Sequence, residues 1–208
     1  MKIIEPSFVF EDIVRPDEIM AKIERAGRTC YKSEGKIGDG TAEKFVASVV
    51  KRGHESVLEH ASISVRVICD RGVTHEIVRH RVASYSQEST RYCNYTNDKY
   101  GNEITVIRPF FWNDDPQKFA LWKEAMDASE KSYIALIEAG ATAQEARSVL
   151  PNSLKTEIVM TMNMREWRHF FKLRTSSAAH PQIREIAIPM LKEFQRLLPV
   201  LFNDIVVE

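Results

Sequence analysis

The segment Arg79–Tyr92, which reads RHRVASYSQESTRY, decides how the rest of this 208-residue chain is interpreted. It brings the guanidinium groups of Arg79, Arg81 and Arg91 and one imidazole within thirteen positions, among several serines, with Glu88 as the only acid. Arginine suits phosphate because its rigid fork makes bidentate, charge-assisted hydrogen bonds. By composition alone, a solvated basic loop explains the segment slightly better than an anion site, and both interpretations stay open here.

The charge balance limits what such a segment can bind. The chain has 29 basic and 29 acidic residues, whereas general nucleic-acid or membrane-surface binders carry a basic excess. We therefore expect no nucleic-acid partner and no membrane partner, and any bound anion should be small. No apolar run approaches the ~20 residues that cross a bilayer, and the N-terminal residues do not resemble a signal peptide. Three scattered cysteines, an odd number, indicate a reducing compartment, so we expect a cytoplasmic protein.

The hydrophobic pattern predicts a mixed fold. Alternation over residues 63–69 and 156–162 predicts strands, and residues 83–92 are typical of a loop or an edge strand. Capping residues, prolines and glycines predict helices over residues 16–31, 41–52 (capped by Thr41), 73–82, 116–138, 142–147, 163–174 and 181–202, the last interrupted at Pro189 and Pro199. The irregular order favours an α+β fold with a central, mostly antiparallel sheet flanked by helices. Without repeats or linkers, residues 1–208 are predicted to form a single domain.

Two common site motifs fail. A zinc-binding HExxH helix needs histidines four residues apart, whereas Arg79 stands in the place that would follow His75, and His80 comes one residue later. The glycines Gly38 and Gly40 lack the third glycine of a dinucleotide fingerprint and no strand precedes them. We therefore expect no metal site, and a bound nucleotide must be held by side chains.

A second candidate position is Arg174. It continues the apolar stripe of Trp167, Phe170 and Phe171 at the end of a helix that Asn163 and Glu166 are expected to cap. A cation on a buried face needs a partner or an anionic ligand, although an arginine whose head reaches solvent or the last carbonyls is common. Arg147, on its short capped helix, is ambiguous in the same way.

Together these segments resemble the flavin-dependent thymidylate synthases. Arg79–Tyr92 is similar to the RHRxxSxxxxSxR signature of that family. Gly53-His54-Glu55-Ser56 with Glu59-His60 resembles its GHxSxxEH segment, Arg147 with Val149-Leu150-Pro151 its ARxxLP element, and Asn163-Met164-Arg165 and Leu173-Arg174 its next two blocks. The likeness extends over roughly residues 45–190.

The resemblance implies an enzyme that methylates dUMP at C5 to give dTMP. The carbon comes from 5,10-methylenetetrahydrofolate, NADPH supplies electrons through FAD, and tetrahydrofolate is released. It implies a homotetramer whose active sites are assembled from several subunits, and a catalytic role for Arg174 at the pyrimidine. The implied FAD-binding residues are His54, Ser56, Arg79, His80, Arg81, Gln87, Asn163, Arg165 and His169. The implied dUMP-binding residues are Glu76, Arg79, Gln87, Glu88, Ser89, Thr90, Arg91, Arg147 and Arg174.

Some departures from the family pattern and two alternatives remain. Glu76 lies where some relatives have Gln beside the nucleotide, and an acid there needs a neighbouring arginine. Ala178 stands where many relatives carry a histidine that contacts the flavin, and His180 is a candidate replacement. A cysteine-dependent thymidylate synthase would need Cys93 as its nucleophile, because a nearby cation activates a thiol. A non-catalytic nucleotide-binding protein could use the same arginines without flavin.

Overall fold

The computed structural model of the chain describes residues 1–207, in which two compact units are distinguished. Unit 1 comprises Met1–Ser7, Val67–Arg79 and Ser86–Ile158, and unit 2 comprises the stretches between them and the C-terminal part of the chain. Each unit is thus assembled from separated stretches. The prediction of a single domain over residues 1–208 stays a prediction.

The strands form one four-stranded sheet and one short pair. The strands are β1 (Lys2–Ile4), β2 (Ser7–Phe10), β3 (Ser62–Asp70), β4 (Ala83–Gln87), β5 (Thr105–Ile107) and β6 (Lys155–Asn163). The sheet has the order β2-β3-β6-β4, so that β4 is an edge strand, and β1 pairs with β5 in parallel.

The two central strands of the sheet, β3 and β6, run in opposite directions. The Ser64 hydroxyl lies 2.9 Å from that of Thr161, whereas the Arg71 amide, just beyond β3, donates to the Leu154 carbonyl at 3.2 Å. Residue numbers rise along β3 as those of its partner fall, which is the antiparallel pattern. The prediction of a mixed fold with an antiparallel sheet flanked by helices is confirmed.

Eight helices accompany these strands in the described residues. They are α1 (Pro16–Thr29), α2 (Thr41–Lys51), α3 (Arg71–Ile77), α4 (Pro116–Glu138), α5 (Ala143–Ala146), α6 (Met164–Arg174), α7 (Pro181–Leu197) and α8 (Pro199–Phe202). Among residues 1–207, no helix combines the length and the hydropathy that a bilayer crossing requires.

Three local predictions were wrong: the bounds of α3, the cap of α2 and the interruption of the helix at Pro189. The Asp70 side chain accepts from the Val73 amide, so α3 begins early and ends at Ile77, and the Arg79–Arg81 segment lies beyond the helix rather than on it. Gly40, at φ +68°, is the cap of α2, because the Thr41 hydroxyl is instead bonded to Gly38 and Glu24.

The helix α7 continues through Pro189 to Leu197, where the sequence predicts an interruption. Proline removes one helical hydrogen bond. The flanking residues Ile186, Met190 and Phe194 are nevertheless buried in unit 2, and their burial offsets that loss.

The core of unit 2 is an aromatic cluster. Trp167, Phe171, Phe194 and Phe202 are fully buried, with ring centroids 4.9 to 5.8 Å apart in the contacting pairs. The Trp167 indole donates to the Ile63 carbonyl at 3.0 Å, so the polar edge of the ring is satisfied. This packing fixes the buried face of α6 and, with it, the position of Arg174 at its C-terminal end.

A separate core lies in unit 1. Its buried residues are Tyr95, Ile104, Val106, Trp122, Met126, Tyr133, Ala146 and Leu154. Tyr133 accepts a hydrogen bond from the Tyr95 amide at 3.4 Å, and this core supports the segment that follows β4.

A buried cation also holds unit 2 together. The Arg168 side chain is 2% exposed and donates to both Asp204 carboxylate oxygens at 2.7 Å, to Glu55 at 3.0 Å and to the Leu201 carbonyl. The arrangement ties the C-terminal residues to α6. Since a buried charge that loses its partner is costly, removal of one of these carboxylates should destabilise unit 2.

We therefore expect Asp204→Ala to lower the free energy of unfolding by about 1.5–3 kcal/mol, because Arg168 loses two charge-assisted bonds while it stays buried. The matched control is Asp127→Ala, which removes an exposed pair with Lys123 and should cost under about 0.5 kcal/mol. Urea unfolding monitored by tryptophan fluorescence measures both. Equal losses in the two variants would contradict this role of Asp204.

Candidate functional site

The predicted site residues divide between the two units. Unit 1 contains Glu76, Arg79, Gln87, Glu88, Ser89, Thr90, Arg91 and Arg147, and unit 2 contains His54, Ser56, His80, Arg81, Asn163, Arg165, His169 and Arg174. Unit 1 therefore holds the residues predicted for dUMP except Arg174. Unit 2 holds the residues predicted for FAD except Arg79 and Gln87.

In unit 1, the end of β4 is held by Gln87. Its amide nitrogen donates to the hydroxyls of Thr74 at 3.2 Å and Thr156 at 3.3 Å. These two bonds fix the amide plane and commit its nitrogen to the protein. Gln87 can therefore offer a ligand only its carbonyl oxygen as a new partner.

The carboxylate of Glu88 is engaged within unit 1. It accepts from the Tyr95 hydroxyl at 3.0 Å and from the Lys155 ammonium at 2.9 Å, and Lys155 also contacts Glu157 at 2.6 Å. Burial disfavours the ammonium, but the hydrogen bonds to the two glutamates outweigh burial and raise the pKa of Lys155. Glu88 thus anchors the loop through its side chain. Neither Lys155 nor Tyr95 was predicted from the sequence to have this role.

A tight turn follows. The Ser89 carbonyl accepts from the amides of Tyr92 at 3.1 Å and Cys93 at 2.9 Å, and the Ser89 hydroxyl accepts from the Arg91 amide at 3.2 Å. Thr90, at the middle of the turn, is buried, while Arg91 is exposed. The turn therefore projects a guanidinium from a rigid support.

Arg147 and Arg79 are two further arginines of unit 1. The Arg91 Nε donates to Gln144 on α5 at 3.0 Å, and Arg147 follows three residues later in the 3₁₀ turn after that helix. This contact places Arg91 beside the segment that carries Arg147. The Arg79 guanidinium lies 3.3 Å from the Glu76 carboxylate. Arg79 is therefore the neighbouring arginine that an acid at position 76 needs.

The buried centre of unit 2 is the ring of His80, which is 3% exposed. Its Nδ1 lies 2.9 Å from a Glu166 carboxylate oxygen, and its Nε2 accepts from the Arg174 Nε at 3.1 Å. The Tyr85 hydroxyl donates to the His80 backbone carbonyl at 2.7 Å, and the Phe170 ring lies 5.0 Å away. The partner that a buried Arg174 was expected to need is therefore His80, 94 residues earlier in the chain.

The surroundings keep this imidazole neutral. Burial lowers the pKa of His80 most, the hydrogen bond to Glu166 opposes that shift, and the charges of Arg174 and His169 lower the pKa further. Near neutral pH the ring is therefore an uncharged link between a carboxylate and a guanidinium.

By spacing alone, His80, Glu166 and His169 could hold a cation. Both His80 nitrogens already have partners, however, and one partner is the positively charged Arg174. A metal ion would have to displace that guanidinium. The absence of a metal site stays a prediction.

Two cavities of unit 2 contain predicted FAD-binding residues. One, of about 330 Å³, is lined by His54, Ser56 and Arg165 together with the aromatic rings of Tyr31 and Phe45. The other, of about 400 Å³, is lined by Asn163, Arg165 and His169, among others. Both include Arg165 and Glu55, so they adjoin. In the first cavity, aromatic rings beside an imidazole and a guanidinium suit a flavin nucleotide, which has a planar ring system and phosphates, whereas the second cavity contains the carboxylates of Glu59 and Glu166 in addition to the shared Glu55.

Two predicted positions have other surroundings. Arg81 is exposed, and no hydrogen bond of its side chain is seen among the described residues. His180 is the N-cap of α7, where its ring Nδ1 accepts from the Gln182 amide at 3.3 Å. This capping role was not anticipated, and replacement of the histidine absent at Ala178 stays a prediction.

Comparison with known proteins identifies the family of this chain. The profile of the Thy1 family, described as thymidylate synthase complementing protein, matches residues 14–200. The flavin-dependent thymidylate synthase of Mycobacteroides abscessus is 39% identical, with 88% of this chain and 78% of that protein covered. The enzyme of the same name from Geobacter sulfurreducens is 36% identical, with 88% and 81% covered.

A solved structure has the same fold. The UMP/dUMP methylase PolB of Streptomyces cacaoi, bound with 5-Br dUMP, superposes with a TM-score of 0.80 over 98% of this chain and 96% of its own, at 21% identity. The chain belongs to the family of flavin-dependent thymidylate synthases. The family assignment that rested on Arg79–Tyr92 is confirmed, and with it an FAD-dependent enzyme.

The lowered pKa of His80 predicts a pH dependence of stability. As the pH falls below about 6.5, the usual histidine value, an unfolded chain binds a proton before the folded chain does. The contribution of His80 to the free energy of unfolding is therefore complete above that pH, and it is lost as the pH falls through the pKa that His80 has in the folded chain. We expect the stability difference between the wild type and His80→Gln to shrink from pH 7.5 to pH 5 in denaturant unfolding. Parallel pH profiles of the two proteins would contradict the assignment.

Proposed function

We propose that this protein methylates dUMP at C5 to give dTMP, with 5,10-methylenetetrahydrofolate as carbon donor. NADPH supplies the electrons through FAD, and tetrahydrofolate is the second product. The observation that carries the proposal is the buried Arg174, whose Nε is bonded to His80 of the signature segment at 3.1 Å. The family match over residues 14–200 supports the same reaction.

The loop Gln87–Arg91 holds dUMP in this proposal. Ser89 lies near the uracil and Arg91 at the phosphate, where its bidentate fork suits the dianion. Arg79 and Arg147 also reach the nucleotide. Support comes from the rigid turn at Ser89 and from the contact between Arg91 and Gln144, which directs a guanidinium away from the core.

Arg174 contacts the pyrimidine edge and favours an N3-deprotonated or polarised uracil. Transfer of a carbon to C5 requires electron density at that atom, and the ring oxygens gain negative charge as it develops. A fixed cation in a water-poor site stabilises that charge without reorganisation. The 7% exposure of Arg174 provides such surroundings.

FAD is held by residues of the two adjoining cavities of unit 2 and by the signature segment. His54 and Ser56 contribute from one cavity and Asn163 and His169 from the other, with Arg165 common to both. Arg79, His80, Arg81 and Gln87 complete the proposed set. When bound, the cofactor supplies the hydride chemistry, and the protein orients it and tunes the charge around it.

In solution we propose a homotetramer located in the cytoplasm, with residues 1–208 acting as one domain. Exposure of His54, Ser56, Arg81 and Arg165 in a single chain supports sites that neighbouring subunits complete.

Light scattering coupled to size exclusion should therefore give four times the 23.9 kDa mass of the chain. Dilution should lower the specific activity in step with loss of that species. An active monomer would contradict the assembly.

The reaction can be tested through colour and turnover. The purified protein should show an oxidised-flavin spectrum that NADPH bleaches without oxygen. Arg174→Ala should retain flavin but lose roughly 10²–10³-fold in dTMP formation, as when a preorganised charge-stabilising donor is removed. The control Arg196→Ala changes an exposed arginine paired with Glu193 and should leave turnover unchanged. Unchanged turnover in Arg174→Ala would remove Arg174 from the mechanism.

The alternatives make different predictions. A cysteine-dependent synthase would lose dTMP formation in Cys93→Ala, whereas the flavin mechanism retains it. Cys93 packs against the core of unit 1, which gives the thiol a structural role. A non-catalytic nucleotide binder would be colourless and would ignore added FAD.

A further inference from the structure

Glu166 has a contact that a helix-capping residue would not make. It lies in the first turn of α6, where its amide donates to the Asn163 side chain at 2.9 Å. In a reciprocal capping box the glutamate side chain would return to the backbone amide at the cap. Instead a carboxylate oxygen lies 2.9 Å from Nδ1 of His80, 86 residues earlier in the chain.

The hydrogen bonds determine the tautomer of His80. The Arg174 Nε always carries a proton and can only donate. The His80 Nε2, at 3.1 Å from it, must therefore accept, so the single ring proton is on Nδ1 and is donated to Glu166. The order of donation runs from Arg174 to His80 and from His80 to Glu166. Removal of the carboxylate would allow the proton to move to Nε2, where it would oppose the Arg174 Nε–H.

The ring between them is held on several sides. The Tyr85 hydroxyl fixes the His80 backbone carbonyl at 2.7 Å, and the rings of Phe170 and His169 lie 5.0 and 5.4 Å from the imidazole. A bond at Nε restricts rotation of the guanidinium about its last torsion. That torsion determines where the two terminal nitrogens of Arg174 point.

We propose that Glu166 is a positioning residue for Arg174 and acts through His80. Glu166 and Arg174 together stabilise the Nδ1–H tautomer: Glu166 accepts the Nδ1 proton, Nε2 accepts from the Arg174 Nε, and this second bond fixes the plane of the guanidinium. The inference rests on the proposed role of Arg174 at the uracil, and it adds the two residues, Glu166 and His80, that orient its guanidinium. A guanidinium misplaced by about 1 Å can cost roughly 10²-fold in rate.

The test compares Glu166→Ala, which removes the acceptor, with Glu166→Gln, whose amide oxygen can still accept from Nδ1. With FAD and dUMP saturating, Glu166→Ala should lower kcat for dTMP formation by roughly 10²-fold, and Glu166→Gln should restore most of that loss. The control Glu193→Ala removes an exposed glutamate paired with Arg196 and should have wild-type turnover. Equal thermal unfolding temperatures show that the variants are folded.

Nitrogen-15 chemical shifts of the histidine rings give a direct readout. In the wild type, His80 should be the neutral Nδ1–H tautomer; in Glu166→Ala, the Nε2–H form should appear. The double variant Glu166→Ala/Arg174→Ala should be no slower than Arg174→Ala, because Glu166 acts through Arg174. Full turnover and an unchanged tautomer in Glu166→Ala, or additive losses in the double variant, would overturn the inference. Failure of the proposed role of Arg174 itself is distinguishable, because Arg174→Ala alone would then retain turnover.

Discussion

The burial of one positive charge at the C-terminal end of α6 is the constraint on which the rest of the candidate site depends. Arg174 is 7% exposed and reaches that position because the aromatic face of its helix is packed in the core of unit 2. A buried cation is costly unless its donors are satisfied. His80 supplies an acceptor without adding charge, because burial and neighbouring charges keep its pKa low.

In unit 1, hydrogen bonds within the protein likewise fix the loop Gln87–Arg91. Glu88 is held by Lys155 and Tyr95, and the amide of Gln87 is held by two threonine hydroxyls. These bonds fix a turn whose outer residue, Arg91, is exposed. In both units hydrogen bonds within the protein fix the segment that carries a guanidinium, so less order has to be imposed when an anion binds.

Local signals in the sequence predicted much of the fold. The Asn163 cap, Pro116 and Gly140 gave α4 and α6 within a residue of their observed bounds, because such signals act over a few residues. The end of α3 and the continuity of α7 through Pro189 were missed, since tertiary packing decides them. For the site, the signature segment identified the family and its arginines. It could not reveal the bond between Arg174 and His80, which joins residues 94 positions apart. Glu166 was interpreted as a capping partner, and only the folded chain brings it to the imidazole.

The orientation of Arg174 is therefore the central claim, and a crystal structure with FAD and dUMP measures it most directly. We expect a terminal guanidinium nitrogen to lie about 2.7–3.2 Å from a uracil carbonyl oxygen, the usual hydrogen-bond range, while Nε still donates to His80 Nε2. A guanidinium that turns away from the uracil, or a nucleotide bound without any contact to Arg174, would contradict it.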